Sequence, residues 1–310
     1  MLGIIINPKS GKRAFRAQRI YLFRLLRNRQ LAFEYHVTRY PNHAKEIARK
    51  LVEDGFRTIL VLGGDGTLSE TVNGVMKASV TDEQRSAVQI GLMPRGTGND
   101  WGRYWGLNRN HKQSLARFFE GEPVPIDAGC ITSLRNGEEH RHYFINSVGY
   151  GIDAATCAKA EKMKPYIGSH SVNYVFGLFF ALLTHKSTRM HVRADGQTVV
   201  NGRVFTMNIG NGPYSGGGIR QNPDADPRDG VFHAMLVCPP TWKQVLMALP
   251  KLFNGRLTEL PFVRSFTAHT VDIETKDHLL YEADGILGHC TGGCTVRCMH
   301  KAFAFRIKQD

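Results

Sequence analysis

Apolar and polar positions change their rhythm part-way along the chain. Over the first 125 residues short apolar runs alternate with longer amphipathic stretches. Leu2–Ile6 is an apolar run that Asn7-Pro8 ends. Arg13 to Arg29 has helical periodicity, with Ile20, Phe23 and Leu26 assigned to one face. Phe33–Thr38 is strand-like, and Ala44 to Asp54 is helical up to Gly55. Thr58–Leu62 is β-rich and ends at Gly63-Gly64. Leu68 to Ala78 is helical, Gln89–Met93 a strand, and Asp100 to Trp105 a short helix. Strands alternating with helices predict a parallel sheet covered on both faces.

After Pro123-Val124-Pro125 the segments become short and β-like: Arg141–Val148, Arg189–Ala194, Thr198–Ile209, Val231–Val237, Phe266–Glu274 and Thr295–Cys298. Asn136-Gly137, Asp195-Gly196 and Asp229-Gly230 supply turn signals between them. Two helices are expected here, Ser169 to Thr184 and Trp242 to Phe253. The first is apolar on nearly all sides, which suits core packing or a lipid-facing surface. The domains predicted are 1–125, with 300–310 returning to it, and 126–299.

Composition narrows the class. The chain has 310 residues, 42% hydrophobic and 22% charged, which suits a folded protein rather than a disordered one. Lys and Arg number 40 against 27 acids, a net charge of +13, so an anionic partner is expected. The first helix, with Arg13, Arg16, Arg19, Arg24, Arg27 and Arg29, is either a solvated face or a contact with anionic lipid. No basic surface interleaved with aromatics is visible, so nucleic acid is not expected. The N-terminus lacks the order of a signal peptide, and no apolar run is long enough to span a bilayer. A cytoplasmic protein with at most peripheral membrane contact is the expectation. Cys290, Cys294 and Cys298 stand four apart, unlike the close pairs of zinc ribbons, and read as buried apolar residues.

Two glycine-rich stretches carry chemistry. In Gly63-Gly64-Asp65-Gly66-Thr67 a β-run meets three glycines around one Asp before a helix. Glycine lets the backbone approach a ligand, and amides at a helix N-terminus suit phosphate. Thr67 can cap that helix or meet a phosphate oxygen, and Asp65 can shape the turn or hold magnesium. Gly96-Thr97-Gly98-Asn99-Asp100 repeats the pattern after the next strand. Ligands gather at carboxyl ends of strands in such sheets. Neither loop has the Gly-Lys-Ser/Thr of a P-loop.

GGDGT followed by PRGTGND resembles the diacylglycerol-kinase catalytic family, which includes bacterial lipid kinases and the sphingosine and ceramide kinases. INPKSG ending at Gly11, NSVGYGIDA at Asn146 to Ala154, NGPYSGGG at Asn211 to Gly218, PDADPRDG at Pro223 to Gly230 and EADG at Glu282 to Gly285 follow in the family's order. NAD kinases share GGDGT but are a poorer match to the remaining motifs. The resemblance implies an α/β plus β fold: a Rossmann-like, NAD-kinase-like parallel-sheet domain joined to a C-terminal antiparallel β-sandwich. It implies ATP between Asn7, the Gly63–Thr67 loop (Gly63, Gly64, Asp65, Gly66, Thr67) and the Gly96–Asp100 loop (Gly96, Thr97, Gly98, Asn99, Asp100). It implies Asp284 as general base toward a membrane-lipid hydroxyl, most simply that of diacylglycerol. It also implies Mg2+, through Asp65 and, at a second site, Asp226 and Asp229. The family's DGE reads DGI here, with Ile286 in place of the carboxylate. On a strand, Glu282 and Asp284 would share a face. A kinase of a sphingoid or other lipid alcohol, a soluble-substrate kinase of NAD-kinase type and a non-catalytic nucleotide-binding regulator are the alternatives. Oligomeric state stays open, a homodimer included.

Overall fold

The computed structural model describes the chain except residues 12–14, 108, 109, 136, 168–176, 178–180, 183, 253 and 310, and the side chains of 15, 135 and 163–167. The helix expected at Ser169 to Thr184 lies outside the described residues apart from Gly177, Ala181, Leu182 and Thr184. Two compact units form: Met1–Asp127 with Lys301–Asp310, and Ala128–His300.

In the first unit β1 (Leu2–Ile6), β2 (Phe33–Val37), β3 (Thr58–Gly63) and β4 (Gln89–Pro94) form a parallel sheet in the order β4-β3-β1-β2. β1 is buried along its whole length, as its unbroken apolar run requires. Register sets the site: Ile6 lies level with Leu62, and Leu62 level with Met93. The three loops that follow β1, β3 and β4 therefore start from one level of the sheet.

Helices α1 (Phe15–Asn28), α2 (His43–Glu53), α3 (Asp65–Met76), α4 (Asp82–Ser86), α5 (Asp100–Tyr104) and α6 (His111–Phe119) complete this unit. On α1 the buried pair is Leu22 and Leu26, one turn apart, whereas Ile20, assigned to the same face, is half exposed. Helix α3 starts three residues earlier than expected. Gly64 is its N-cap, so the Asp65-Gly66-Thr67 segment is the first turn of the helix itself.

The second unit is antiparallel. β5 (Glu122–Arg135) enters it and pairs with β6 (Glu138–Phe144). β7 (Ser147–Gly151) leads to helix α7 (Ile152–Ile167), then to β8 (Thr188–Ala194), β9 (Gln197–Val204), β10 (Thr206–Gly210) and β11 (Phe232–Val237). Helix α8 (Trp242–Ala248) precedes β12 (Val263–Ala268), β13 (Thr270–Ala283) and β14 (Ile286–Ile307). The order β12-β11-β10-β7-β13-β14 runs through one layer, and β8 and β9 add to the first half of β13. A register shift between Glu274 and His278 lets one strand serve both, pairing β8 before it and β7 after it. Phe144, Tyr150, Phe232 and Tyr281 fill the sandwich between.

Several expected segments divide or fuse. Thr198–Ile209 is two strands that meet at Phe205. Phe266–Glu274 spans the His269 corner between β12 and β13. Thr295–Cys298 and the last expected strand, Ala302–Ile307, are one strand, which turns at Lys301 with φ of 52° while Lys301 N donates to Asp127 at 2.7 Å. Trp242 to Phe253 is α8 plus a 3-10 turn, Leu249–Lys251, because Pro250 has no N–H to extend the helix. Cys290 and Cys294 are buried in the sandwich, and the hydrogen bond with Cys290, together with burial, raises the Cys294 thiol well above its ordinary value.

Candidate active site

The loops after β1, β3 and β4 are locked to one another through both main chain and side chains. Gly64 and Gly96 pack so closely that a Cβ on Gly64 would lie 2.8 Å from Gly96 Cα. Arg95 N donates to Gly63 O at 2.7 Å, and Arg95 Nε to Ser10 O at 3.0 Å. Asn7 Nδ2 donates to Thr67 Oγ1 at 2.9 Å, which fixes the first loop to the first turn of α3.

Asp65 is the clasp between the second and third loops. Its carboxylate accepts from Asp100 N at 3.1 Å and Trp101 N at 3.3 Å, the first amides of α5. The residue before that helix, Asn99, is left-handed (φ 50°), and its own side chain turns back to Gly96 O at 2.9 Å. A helix needs an acceptor for its first amides, and here Asp65 provides it from another loop. Desolvation raises the Asp65 carboxyl above its ordinary value, against the pull of those amides. Thr97 is exposed, and Gly98 O accepts from Arg103 at 3.4 Å. Gly66 is exposed too, and a Cβ there would meet nothing within 4 Å. The ATP-site residues named from sequence therefore come together around the N-termini of α3 and α5, with open space over Gly66.

In the second unit Asp284 is placed differently from the expectation. It lies in the two-residue turn between β13 and β14, not on a strand beside Glu282. Asp284 and Gly285 both have positive φ (50° and 79°), as a tight hairpin of the I′ kind requires. The Asp284 carboxylate accepts from the amides of Ile145 (2.9 Å), Asn146 (2.8 Å) and Ser147 (3.4 Å). Asn146 O in turn accepts from Asn211 N and Gly212 N, both at 2.8 Å. Three motifs distant in sequence thus converge on one carboxylate. Glu282 braces the turn by accepting from Gly285 N at 2.9 Å. Ile286 opens β14 opposite Ala283 and is half-buried.

Asp226 accepts from the Arg228 guanidinium at 2.7 and 2.6 Å. Asp229 accepts from Val231 N at 3.0 Å and stands 3.3 Å from His233. Among the described residues no group of three His, Cys, Asp or Glu side chains could hold a metal ion. The acids named for magnesium thus face protein donors here, so no protein-built magnesium site supports a chemical step.

The second unit also holds a feature that sequence reasoning missed. A cavity of about 80 Å³ is lined by apolar side chains among which are Ile219, Met235, Val245, Leu252 and Phe262. That volume is well below the roughly 300–1,000 Å³ of a drug-sized ligand site, so the cavity is a narrow apolar slot. Asp153, Thr206 and Gln221 are its polar part. Asp153 is buried and accepts from Asn208 (3.1 Å), Gln221 (3.0 Å) and Thr206 (3.3 Å). Desolvation raises its carboxyl above the ordinary value, and those three donors hold it back. A Cβ on Gly149 would lie 2.9 Å from Asp153 Oδ2 and 3.0 Å from Glu282 Oε1, so only glycine lets the two acids stand there. One signal was available in sequence. Asp153 is the single charged residue between His142 and Lys159.

Comparison with known proteins agrees with this division. Residues 1–131 match the family described as Diacylglycerol kinase catalytic domain, and residues 146–302, half of the chain, match the YegS C-terminal NAD kinase beta sandwich-like domain. A diacylglycerol kinase of Staphylococcus carnosus (strain TM300) is 27% identical over 289 residues, 92% of this chain and 88% of that protein. One from Staphylococcus aureus (strain Newman) is 25% identical, over 92% of this chain and 85% of its own length. Among solved structures, a diacylglycerol kinase from Bacillus anthracis str. Sterne superposes with a TM-score of 0.71 at 18% identity, covering 99% of this chain and 96% of that one. Yeast NADH kinase superposes with a TM-score of 0.59 at 11% identity, covering 100% of this chain and 84% of that one. With both family matches falling on the loops and the sandwich just described, the chain belongs to the diacylglycerol kinase catalytic-domain family, in the form that carries the NAD kinase-like β-sandwich.

Proposed function

We propose that this protein is an ATP-dependent lipid kinase that moves the γ-phosphoryl group of ATP to the hydroxyl of a membrane lipid, diacylglycerol being the first assignment. The observation that carries the lipid half of this reading is the apolar cavity of the second unit, with one buried acid at its polar end. A dinucleotide acceptor would need a polar pocket; an acyl chain needs this one. Relatives named diacylglycerol kinase make diacylglycerol the first choice over other lipid alcohols.

In this reading the open space over Gly66 takes the phosphates, and the first amides of α3 offer them donors, those of α5 being held by Asp65. Asn7, Thr67 and the Gly96–Asp100 loop hold the nucleotide, with Asp65 fixing the distance between the loops. Magnesium chelated by ATP would supply charge neutralisation at the phosphates. Asp284, oriented by three amides, takes the proton of the lipid hydroxyl. Asp153 and Glu282 orient that hydroxyl from the polar end of the cavity. Phosphoryl transfer asks mainly for such positioning.

The test is transfer of labelled γ-phosphate from ATP to diacylglycerol, ceramide, sphingosine and phosphatidylglycerol in mixed micelles, with NAD as control. Labelled phosphatidic acid is the expected product. Labelled NADP, with no lipid product, would replace this reading by the soluble-substrate one.

A further inference from the structure

Helix α8 has two apolar faces, and only one has a use so far. Val245, Ala248 and Leu249 look inward and line the cavity. The opposite arc carries Trp242 (60% exposed), Leu246 (66%) and Met247 (47%). Trp242 and Leu246 are i, i+4 neighbours on one face, and Met247 follows Leu246 on the adjoining one, so all three stand toward water along this side of the helix. A folded chain rarely leaves a large aromatic and two long aliphatic side chains together in water without a partner. The helix start is fixed by a reciprocal cap between Thr241 and Gln244, so the patch is held in place.

The charge around the patch says which partner fits. From Pro239 to Arg264 the sequence has four bases, Lys243, Lys251, Arg256 and Arg264, against one acid, Glu259. Lys251 and Arg256 both reach Glu259, at 3.3 and 2.9 Å, which leaves the rim net positive. An apolar centre headed by Trp with a basic rim is the make-up of a surface that sits at the bilayer–water boundary of an anionic membrane.

We infer that α8 is the element that docks this protein on an anionic bilayer, its Trp242–Leu246–Met247 face entering the headgroup region while its inner face walls the acyl cavity. The inference deepens the lipid-kinase reading and rests on it for its purpose. A lipid leaving the bilayer beneath α8 would pass from membrane to cavity without crossing open water. A second copy of the chain is the competing occupant, but its own basic rim would oppose the first across the interface.

Trp242 supplies the readout. Trp101 and Trp105 are buried (1% and 8% exposed), so a change in tryptophan emission on adding vesicles reports Trp242. Vesicles of phosphatidylglycerol mixed with phosphatidylcholine should shift the emission to the blue, and brominated acyl chains should quench it. Phosphatidylcholine vesicles alone should do much less. Leu246→Ser with Met247→Ser should weaken vesicle binding about tenfold or more, from the apolar area lost. That variant should keep its turnover on a dispersed short-chain diacylglycerol and lose it on vesicles. Unchanged Trp242 emission with the anionic vesicles overturns the inference. So does a dimer that Leu246→Ser disperses while vesicles have no effect, which would make the patch a contact between copies. If no lipid is phosphorylated at all, the proposed function fails, while the emission titration still decides the docking surface.

Discussion

The glycine-rich loops of the first unit are joined by close main-chain approach and by a few side-chain clasps, whereas the cavity of the second is lined by scattered apolar residues. In the loops, glycines bring Gly64 against Gly96, and main-chain and side-chain hydrogen bonds share the contacts. The side chains that matter there, Asn7, Asp65 and Thr67, serve mainly to hold one loop to the next. The cavity is shaped by residues spread from Ile152 to Val263. The loops are exacting about glycine and about the few side chains that clasp them. An apolar lining can be changed one residue at a time.

Perturbing the acceptor side at its carboxylate should have the largest effect. Asp284→Asn should lower kcat by about 10²–10⁴, the usual contribution of a positioned acid or base, with ATP affinity little changed. Turnover equal to wild type would remove Asp284 from the reaction and favour the regulator reading.

The loop side is best tested by a pair of glycines. Gly64→Ala puts a Cβ 2.8 Å from Gly96 Cα and should cost about 1–3 kcal/mol of stability by denaturant titration. Gly66→Ala meets nothing and should leave stability within about 1 kcal/mol of wild type, yet weaken ATP about tenfold by calorimetry. If Gly66→Ala binds ATP normally, the phosphates lie elsewhere.

Within the cavity, Ala248→Leu should discriminate by chain length. Filling part of the slot should raise KM several-fold for long-chain diacylglycerol and hardly change it for short-chain forms. Equal effects on both would mean that the acyl chain does not occupy this cavity.

The smallest effect concerns pH. Asp153 is held neutral more readily when folded than when unfolded, so its contribution is fully present below its ordinary value of 3.8. That contribution is lost as pH rises through the raised folded value. Asp65 acts in the same direction. Stability measured from pH 4 upward should therefore fall less steeply in Asp153→Asn than in wild type. Parallel curves would show that the three donors around Asp153 cancel its desolvation.

Much of the first unit was legible because its determinants are local. An apolar run that ends in glycine before a helix announces a buried strand and a tight turn, and β3 follows that form into α3. The error at α3 came from taking Asp65 to Thr67 as loop, when a Gly N-cap lets the helix start at once. Ile20 was misassigned because several faces of α1 carry apolar residues, and only the sheet beneath chooses among them. In the second unit the Asp284-Gly285 dipeptide already signalled a turn, but the amides that surround Asp284 come from residues nearly 140 positions away.

By itself the sequence determined the alternation of strands and helices in the first unit, the family, and the glycine-rich motifs that carry the resemblance. These follow from local periodicity, from glycine's backbone freedom and from motifs read in order. Only the tertiary structure decided that Asp65 caps a helix in the neighbouring loop, that Asp284 sits in a hairpin turn among amides of β7's approach, and that Asp153 is buried at the end of an apolar cavity. It alone decided which face of α8 looks inward. Each of these depends on which distant segments pack together, and burial, not residue type, sets what a carboxylate or a tryptophan does there.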